Sequence, residues 1–270
     1  MTEEDRSDRC GGYDARRFVA EYYDHVPLYA NRRDVPFYAE LAAQAGGPVL
    51  ELGCGTGRLL VPLIRSGFAV DGIDLSSAML ERCERKLAAE PASVQARASI
   101  RQADMTDFDL GKQYPLVIAP FRCFQHIIDV DDQMRCLRSA ARHLAPGGLL
   151  VLDLFNTDPA RMHDPKYLEE TVEFSHLELP DGRRLGRSSR TAAFHPARQY
   201  NETELIYHVE HPDGRAERLV HAFPIRLFFR YEVEHVLARC GFALTACYGD
   251  YDRSPYQDDS PEMIVLAEKI

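Results

Sequence analysis

Val49-Leu50-Glu51-Leu52-Gly53-Cys54-Gly55-Thr56-Gly57-Arg58 sets the frame for the whole chain. A short apolar run ends in three alternating glycines, and Leu59, Leu60, Leu63 and Ile64 follow with helical spacing. The pattern predicts a buried strand, a tight loop and the start of a helix. Glycine is needed where φ is positive, or where a ligand approaches the main chain more closely than a Cβ allows. The free amides at the helix start favour a polar or anionic group.

Outward from this stretch, strand and helix patterns alternate. Phe68–Asp74 reads as a second strand ending in an acid, with Ser76 or Ser77 as N-cap of the next helix. A carboxylate has two acceptor oxygens, so Asp74 suits the two hydroxyls of a ribose, in a nicotinamide enzyme as well as in other nucleoside binders. Arg97–Ala103 and Leu116–Pro120 are further strands, and Asp129–His143 is a helix with Met134, Leu137, Ala141 and Leu144 on its apolar face. Pro146-Gly147-Gly148 ends it, and Leu149–Phe155 is the fifth strand.

Upstream, Met1–Gly12 is polar and is expected to be disordered, and two helices are expected over Tyr13–His25 and Asn31–Ala45. Downstream, Pro180-Asp181-Gly182 and Pro212-Asp213-Gly214 sit between alternating segments from Thr171 to Phe223, which predicts about four antiparallel strands. A helix (Arg230–Arg239) and two strands (Ala243–Tyr248 and Met263–Ala267) close the chain.

The acid ahead of Gly-x-Gly-x-Gly, the Leu-x-Pro-Gly-Gly turn and the final hairpin together resemble the class I S-adenosylmethionine (SAM)-dependent methyltransferases, bacterial small-molecule type. The resemblance covers about Tyr13 to Asn156. A dinucleotide fingerprint differs in spacing, as Gly-x-Gly-x-x-Gly. The resemblance implies an α/β fold: a Rossmann-like, mostly parallel seven-stranded sheet with helices on both faces, an N-terminal helical lid and an inserted antiparallel β cap. Its expected division is a disordered start at 1–12, a lid at 13–47, a SAM-binding core at 48–165, an insert at 166–225 and the end of the core at 226–270. The insert would cap the substrate or, alternatively, form a homodimer surface.

The resemblance also assigns roles. Cofactor contacts fall to Tyr23, Arg33, Glu51, Gly53, Cys54, Gly55, Gly57, Asp74, Leu75, Met79, Asp104, Met105, Pro120 and Phe121. Asp104 and Met105 match the positions that meet an adenine, although a loop acid there also forms Asx-turns. Substrate contacts fall to Tyr22, Tyr29, Arg122, Gln125 and Tyr251; on side-chain chemistry alone, His126, just past the fourth strand, is the catalytic candidate for a base and Tyr23 for orienting an amine or contacting the sulfonium. Enzymes that methylate base amino groups carry Asp/Asn-Pro-Pro-Tyr/Phe after the fourth strand. This chain has Ala119-Pro120-Phe121-Arg122, which argues against a nucleic-acid substrate.

Composition agrees. A chain of 270 residues with 45% hydrophobic residues is long enough for one α/β domain with an elaboration, or for two small domains, and a formal charge of −10 is not a nucleic-acid footprint. Seven cysteines without a Cys-x-x-Cys pair read as free thiols in a reducing compartment. No membrane-spanning run or signal segment is visible, so a cytoplasmic protein is expected. No metal-ligand spacing stands out. The expected reaction is methyl transfer from SAM to nitrogen or oxygen of a small molecule, giving S-adenosylhomocysteine. The alternatives are a non-catalytic SAM-binding regulator, a methyltransferase fold redeployed for another reaction, and an NAD-dependent oxidoreductase.

Overall fold

The computed structural model describes residues 11–270. Expectations for residues 1–10 lie outside the described residues. Gly11 and Gly12 are buried, so the expected disorder does not reach them.

After a first short helix α1 (Arg17–Tyr22) and a longer α2 (Val35–Ala45), the chain alternates strand and helix. The order is β1 (Val49–Leu52), α3 (Leu60–Arg65), β2 (Val70–Asp74), α4 (Ser77–Ala88), β3 (Ala98–Gln102), β4 (Tyr114–Ala119), α5 (Val130–His143) and β5 (Leu144–Phe155). Helix ends follow capping chemistry. Gly46 terminates α2 with φ 66°, Ser76 Oγ accepts from Met79 N at 3.2 Å, and Asp129 accepts from Asp131 N. The Pro-Gly-Gly segment lies inside β5 rather than before it: Leu144 already pairs with Tyr114, and the register shifts before Leu149 pairs with Leu116.

Four strands then form a separate antiparallel sheet: β6 (Thr171–Glu178), β7 (Arg184–His195), β8 (Tyr200–Glu210) and β9 (Ala216–Arg226). Both Pro-Asp-Gly turns close its hairpins, through Leu179 N to Arg183 O and His211 N to Arg215 O, each at 2.8 Å. Helix α6 (Arg230–Arg239), β10 (Phe242–Tyr248) and β11 (Glu262–Lys269) complete the main sheet. Its order is β10-β11-β5-β4-β1-β2-β3, with β11 antiparallel to both neighbours and the other pairs parallel.

Alternation along the central strands divides the core between two faces. Leu50, Leu52, Val117, Leu150 and Leu152 pack toward α5 and α6, against Met134, Leu137, Val233 and Leu237. Val49, Leu116, Ile118 and Val151 pack toward α2, α3 and α4, against Tyr38, Leu41, Leu63 and Cys83. Each fully buried leucine contributes roughly 1.5–3 kcal/mol of transfer free energy, so this two-sided burial fixes the strand register. The antiparallel sheet packs elsewhere, its Leu185, Tyr207 and Val209 closing on Tyr22 and Val26 of the N-terminal segment.

Candidate active site

The loops after β1, β2 and β4 meet at one end of the parallel strands, where open α/β sheets bind ligands. They enclose an inner cavity of about 90 Å³. Of the cofactor candidates, Tyr23, Glu51, Gly53, Cys54, Gly55, Asp74, Leu75, Met79, Met105, Pro120 and Phe121 line it, as does His126. An outer cavity of about 530 Å³ lies between the N-terminal segment, the loop after β4 and one face of the antiparallel sheet. Residues two apart along the strands (Arg187, Ser189 and Thr191; Asn201, Thr203 and Leu205; Phe223 and Ile225) line it. Tyr13, Tyr23, Phe121 and His126 line both cavities.

The glycine loop divides its tasks. Gly55 has φ 54°, and a Cβ there would meet nothing nearer than Asp74 Oδ2 at 4.0 Å, so its missing side chain leaves open space. Gly57 has φ 75° and lies outside the lining; a Cβ there would fall 2.7 Å from Cys83 Sγ. That third glycine lets the loop pack on α4.

Asp74 accepts from Gly55 N at 2.7 Å and from Ser76 N at 2.8 Å, which fixes its carboxylate against the loop. Burial pushes its pKa up to about 6, against the pull of these amides. Glu51 is 2% exposed and its Oε2 has no hydrogen-bond partner among the described residues. Burial raises it to about 8, partly offset by Arg58 and reinforced by Asp34 and Asp74. Arg58 is itself held in a two-pronged ion pair with buried Asp34, at 2.9 and 2.6 Å. The lining therefore offers one fixed carboxylate, a second carboxyl lacking a donor, an open glycine cradle and apolar side chains. This set fits a nucleoside carrying a cationic amino-acid tail, as SAM does.

The shared wall is aromatic and uncharged. Burial drives His126 down to about 4 and holds the Tyr13 and Tyr23 phenols above their ordinary value. Behind it, His221 is fully buried and is lowered by burial to about 4. Its Nε2 donates to the Gly11 carbonyl, tying the N-terminal segment to β9. The Tyr13 ring stands edge-on to both imidazoles, with centroids 5.9 Å from His126 and 4.9 Å from His221.

Several candidates take other places. Arg33 is exposed and lines neither cavity, whereas its neighbour Arg32 turns inward to Glu262 at 2.9 Å and Asp153 at 3.3 Å. Asp104 lies outside the lining, its Oδ1 accepting from Thr106 N and Oγ1, both at 2.8 Å, in an Asx-turn. Tyr22 is a core residue whose hydroxyl takes a hydrogen bond from Arg183 at 2.6 Å. Gln125 is buried and structural: its amide donates to Arg226 O at 2.8 Å and accepts from Phe155 N at 3.0 Å. Tyr251 donates to Asp153 at 2.6 Å and lines neither cavity. Tyr29 and Arg122 do line the outer cavity. Tyr13, Thr56, Arg58, Leu59 and Cys123 also line the inner cavity, beyond the candidates named from the sequence. Thr56 and Arg58 lie within the glycine stretch and could have been included, whereas nothing local marks Tyr13.

Comparison with known proteins supports a SAM-dependent methyltransferase acting on small molecules, with a class I fold and SAM as cofactor. Residues 49–148 match the model of the methyltransferase domain family. The CcbJ methyltransferase from Streptomyces caelestis superposes with a TM-score of 0.73 at 26% identity, over 95% of this chain and 97% of that one. SAM-bound CalS10, an amino pentose methyltransferase from Micromonospora echinaspora, superposes with a TM-score of 0.69 at 22% identity, over 92% and 96% of the two chains. The dTDP-4-amino-2,3,4,6-tetradeoxy-D-glucose N,N-dimethyltransferase of Saccharopolyspora spinosa is 33% identical over 39% of this chain and 39% of its own length. The chain is thus a methyltransferase rather than a nicotinamide oxidoreductase. Among the described residues, no helix is long and apolar enough to cross a membrane.

Proposed function

We propose that the enzyme methylates the amino nitrogen of a small polar molecule of amino-sugar type. The observation carrying this is the wall shared by the two cavities, built from Tyr13, Tyr23, Phe121 and His126 and carrying no carboxylate or amine side chain. A hydroxyl acceptor needs a positioned base with a pKa near the working pH. Neither His126, at about 4, nor the raised phenols supply one, and Glu51, at about 8, lines the inner cavity only, outside the shared wall. A neutral amine attacks with its own lone pair and needs orientation instead.

Bound SAM supplies an electrophilic methyl on a sulfonium. In this reading Asp74 accepts from the ribose hydroxyls, Glu51 faces the cationic tail, and Gly53 and Gly55 let the ligand approach the main chain. Leu75, Met79, Met105 and Pro120 provide apolar walls. His126, uncharged at neutral pH, accepts an N–H of the amine and turns its lone pair inward. Tyr13, Tyr23 and Phe121 exclude water and favour the cationic centre by their ring faces. The outer cavity holds the remainder of the substrate, with Asn201 Oδ1 and Arg187 Nη1 as buried polar atoms lacking partners among the described residues. An amino sugar offers hydroxyls that both donate and accept, and the named function of the Saccharopolyspora relative agrees. The antiparallel sheet then acts as a substrate cap.

The test is incubation with SAM and a panel of matched amino and hydroxy sugars, free and nucleotide-linked, read by mass and by the position of the new methyl. N-methylation supports the reading. Methylation confined to oxygen would overturn it.

A further inference from the structure

We propose that Asp153 is a positioning residue that holds Phe121 in the wall between the two cavities. The inference rests on the reading of that wall as the place of methyl transfer.

Phe121 and Arg122 follow Pro120 with φ 50° and 68°, two successive side-chain-bearing residues in the left-handed region. Neither is glycine, so surrounding contacts must hold the turn. Both amides end on one residue. Asp153 Oδ2 accepts from Phe121 N at 2.9 Å, and the Asp153 carbonyl accepts from Arg122 N at 2.9 Å. Asp153 is fully buried on β5, where it pairs with Ile264 of β11.

Its carboxylate is fixed from three further parts of the chain. The Tyr251 hydroxyl donates to it at 2.6 Å, Tyr38 at 3.4 Å and Arg32 Nη2 at 3.3 Å. Arg32 is in turn held by Glu262 at 2.9 Å. The consequence is the placement of one ring. Phe121 lines both cavities, with the Tyr29 ring centroid at 4.9 Å and the Arg32 and Arg58 guanidinium carbons over it at 4.5 and 5.1 Å. Asp153 reaches neither cavity, so it acts through Phe121.

Two readouts test this on the full chain: amide hydrogen exchange of Phe121 and Arg122, and a double-mutant cycle on kcat with an amine the wild type methylates. Asp153→Asn removes the charge that gathers the four donors, and Tyr251→Phe removes one donor. Exchange at 121–122 should accelerate about tenfold or more in Asp153→Asn and by a smaller factor in Tyr251→Phe. The kcat of Asp153→Asn should fall about tenfold, and this loss should vanish in a Phe121→Ala background because the two act as one unit. Should Asp153→Asn fail to fold, Tyr251→Phe carries both measurements. Unchanged exchange, or losses that multiply in the double variant, would overturn the proposal. Failure of the wild type to methylate any amine counts against N-methylation instead, and the exchange result still decides the role of Asp153.

Discussion

Gly55 and Gly57 stand two residues apart in one motif, yet their substitution by alanine should fail in opposite ways. Both have left-handed φ values, 54° and 75°, which cost an alanine about 1–2 kcal/mol each. At Gly57 the new methyl would also fall 2.7 Å from Cys83 Sγ. Overlap in a packed interior adds about 1–3 kcal/mol, giving about 2–5 kcal/mol in all. At Gly55 the nearest atom is 4.0 Å away, so no overlap is added and the methyl projects into open space beside the carboxylate of Asp74. Urea unfolding monitored by circular dichroism, paired with calorimetric titration of SAM, separates the two effects. Gly57→Ala should lose most stability while its folded fraction still binds SAM. Gly55→Ala should lose only about 1–2 kcal/mol of stability, but SAM affinity should fall about tenfold or more. Wild-type SAM affinity in Gly55→Ala, or wild-type stability in Gly57→Ala, would refute the division of labour in the loop.

Other outcomes follow from the same geometry. Asp74→Ala should weaken SAM binding about 10–100-fold, the worth of a charge-assisted hydrogen bond, and titration checks it. His126→Phe should lower kcat about tenfold, by losing one orienting hydrogen bond, while calorimetry shows SAM affinity little changed. His221 has a folded pKa near 4 against an ordinary 6.5, so the unfolded chain binds the proton more readily. Its contribution is fully present above pH 6.5 and is lost as pH falls toward 4, up to about 3 kcal/mol. Unfolding of wild type and His221→Phe between pH 7.5 and 5 checks this. The wild type should lose more stability over that range, and equal losses would count against it.

What was legible in the sequence is what depends on local spacing. The glycine loop, the acid ending β2, the N-cap Ser76 and the two Pro-Asp-Gly hairpins each satisfy a backbone requirement within a few residues, so residue type reveals them. The less legible residues depend on which face of a segment meets a distant strand. Arg32 and Arg33 are equivalent in sequence, and only docking against Asp153 and Glu262 turns the first inward. Tyr22 looked like a ligand contact because Tyr207, which packs on it, lies 185 positions further along. Tyr251 looked like a substrate contact for the same reason, its partner being Asp153. Asp104 had both readings available locally, and its Oδ1 takes the Asx-turn.

The measurement that bears most directly on the central claim uses SAM labelled in its methyl group, incubated with the enzyme and a cell extract separated into small-molecule and macromolecular fractions. Label is expected in a small molecule, on nitrogen. Label in protein or nucleic acid, or on oxygen alone, would contradict it.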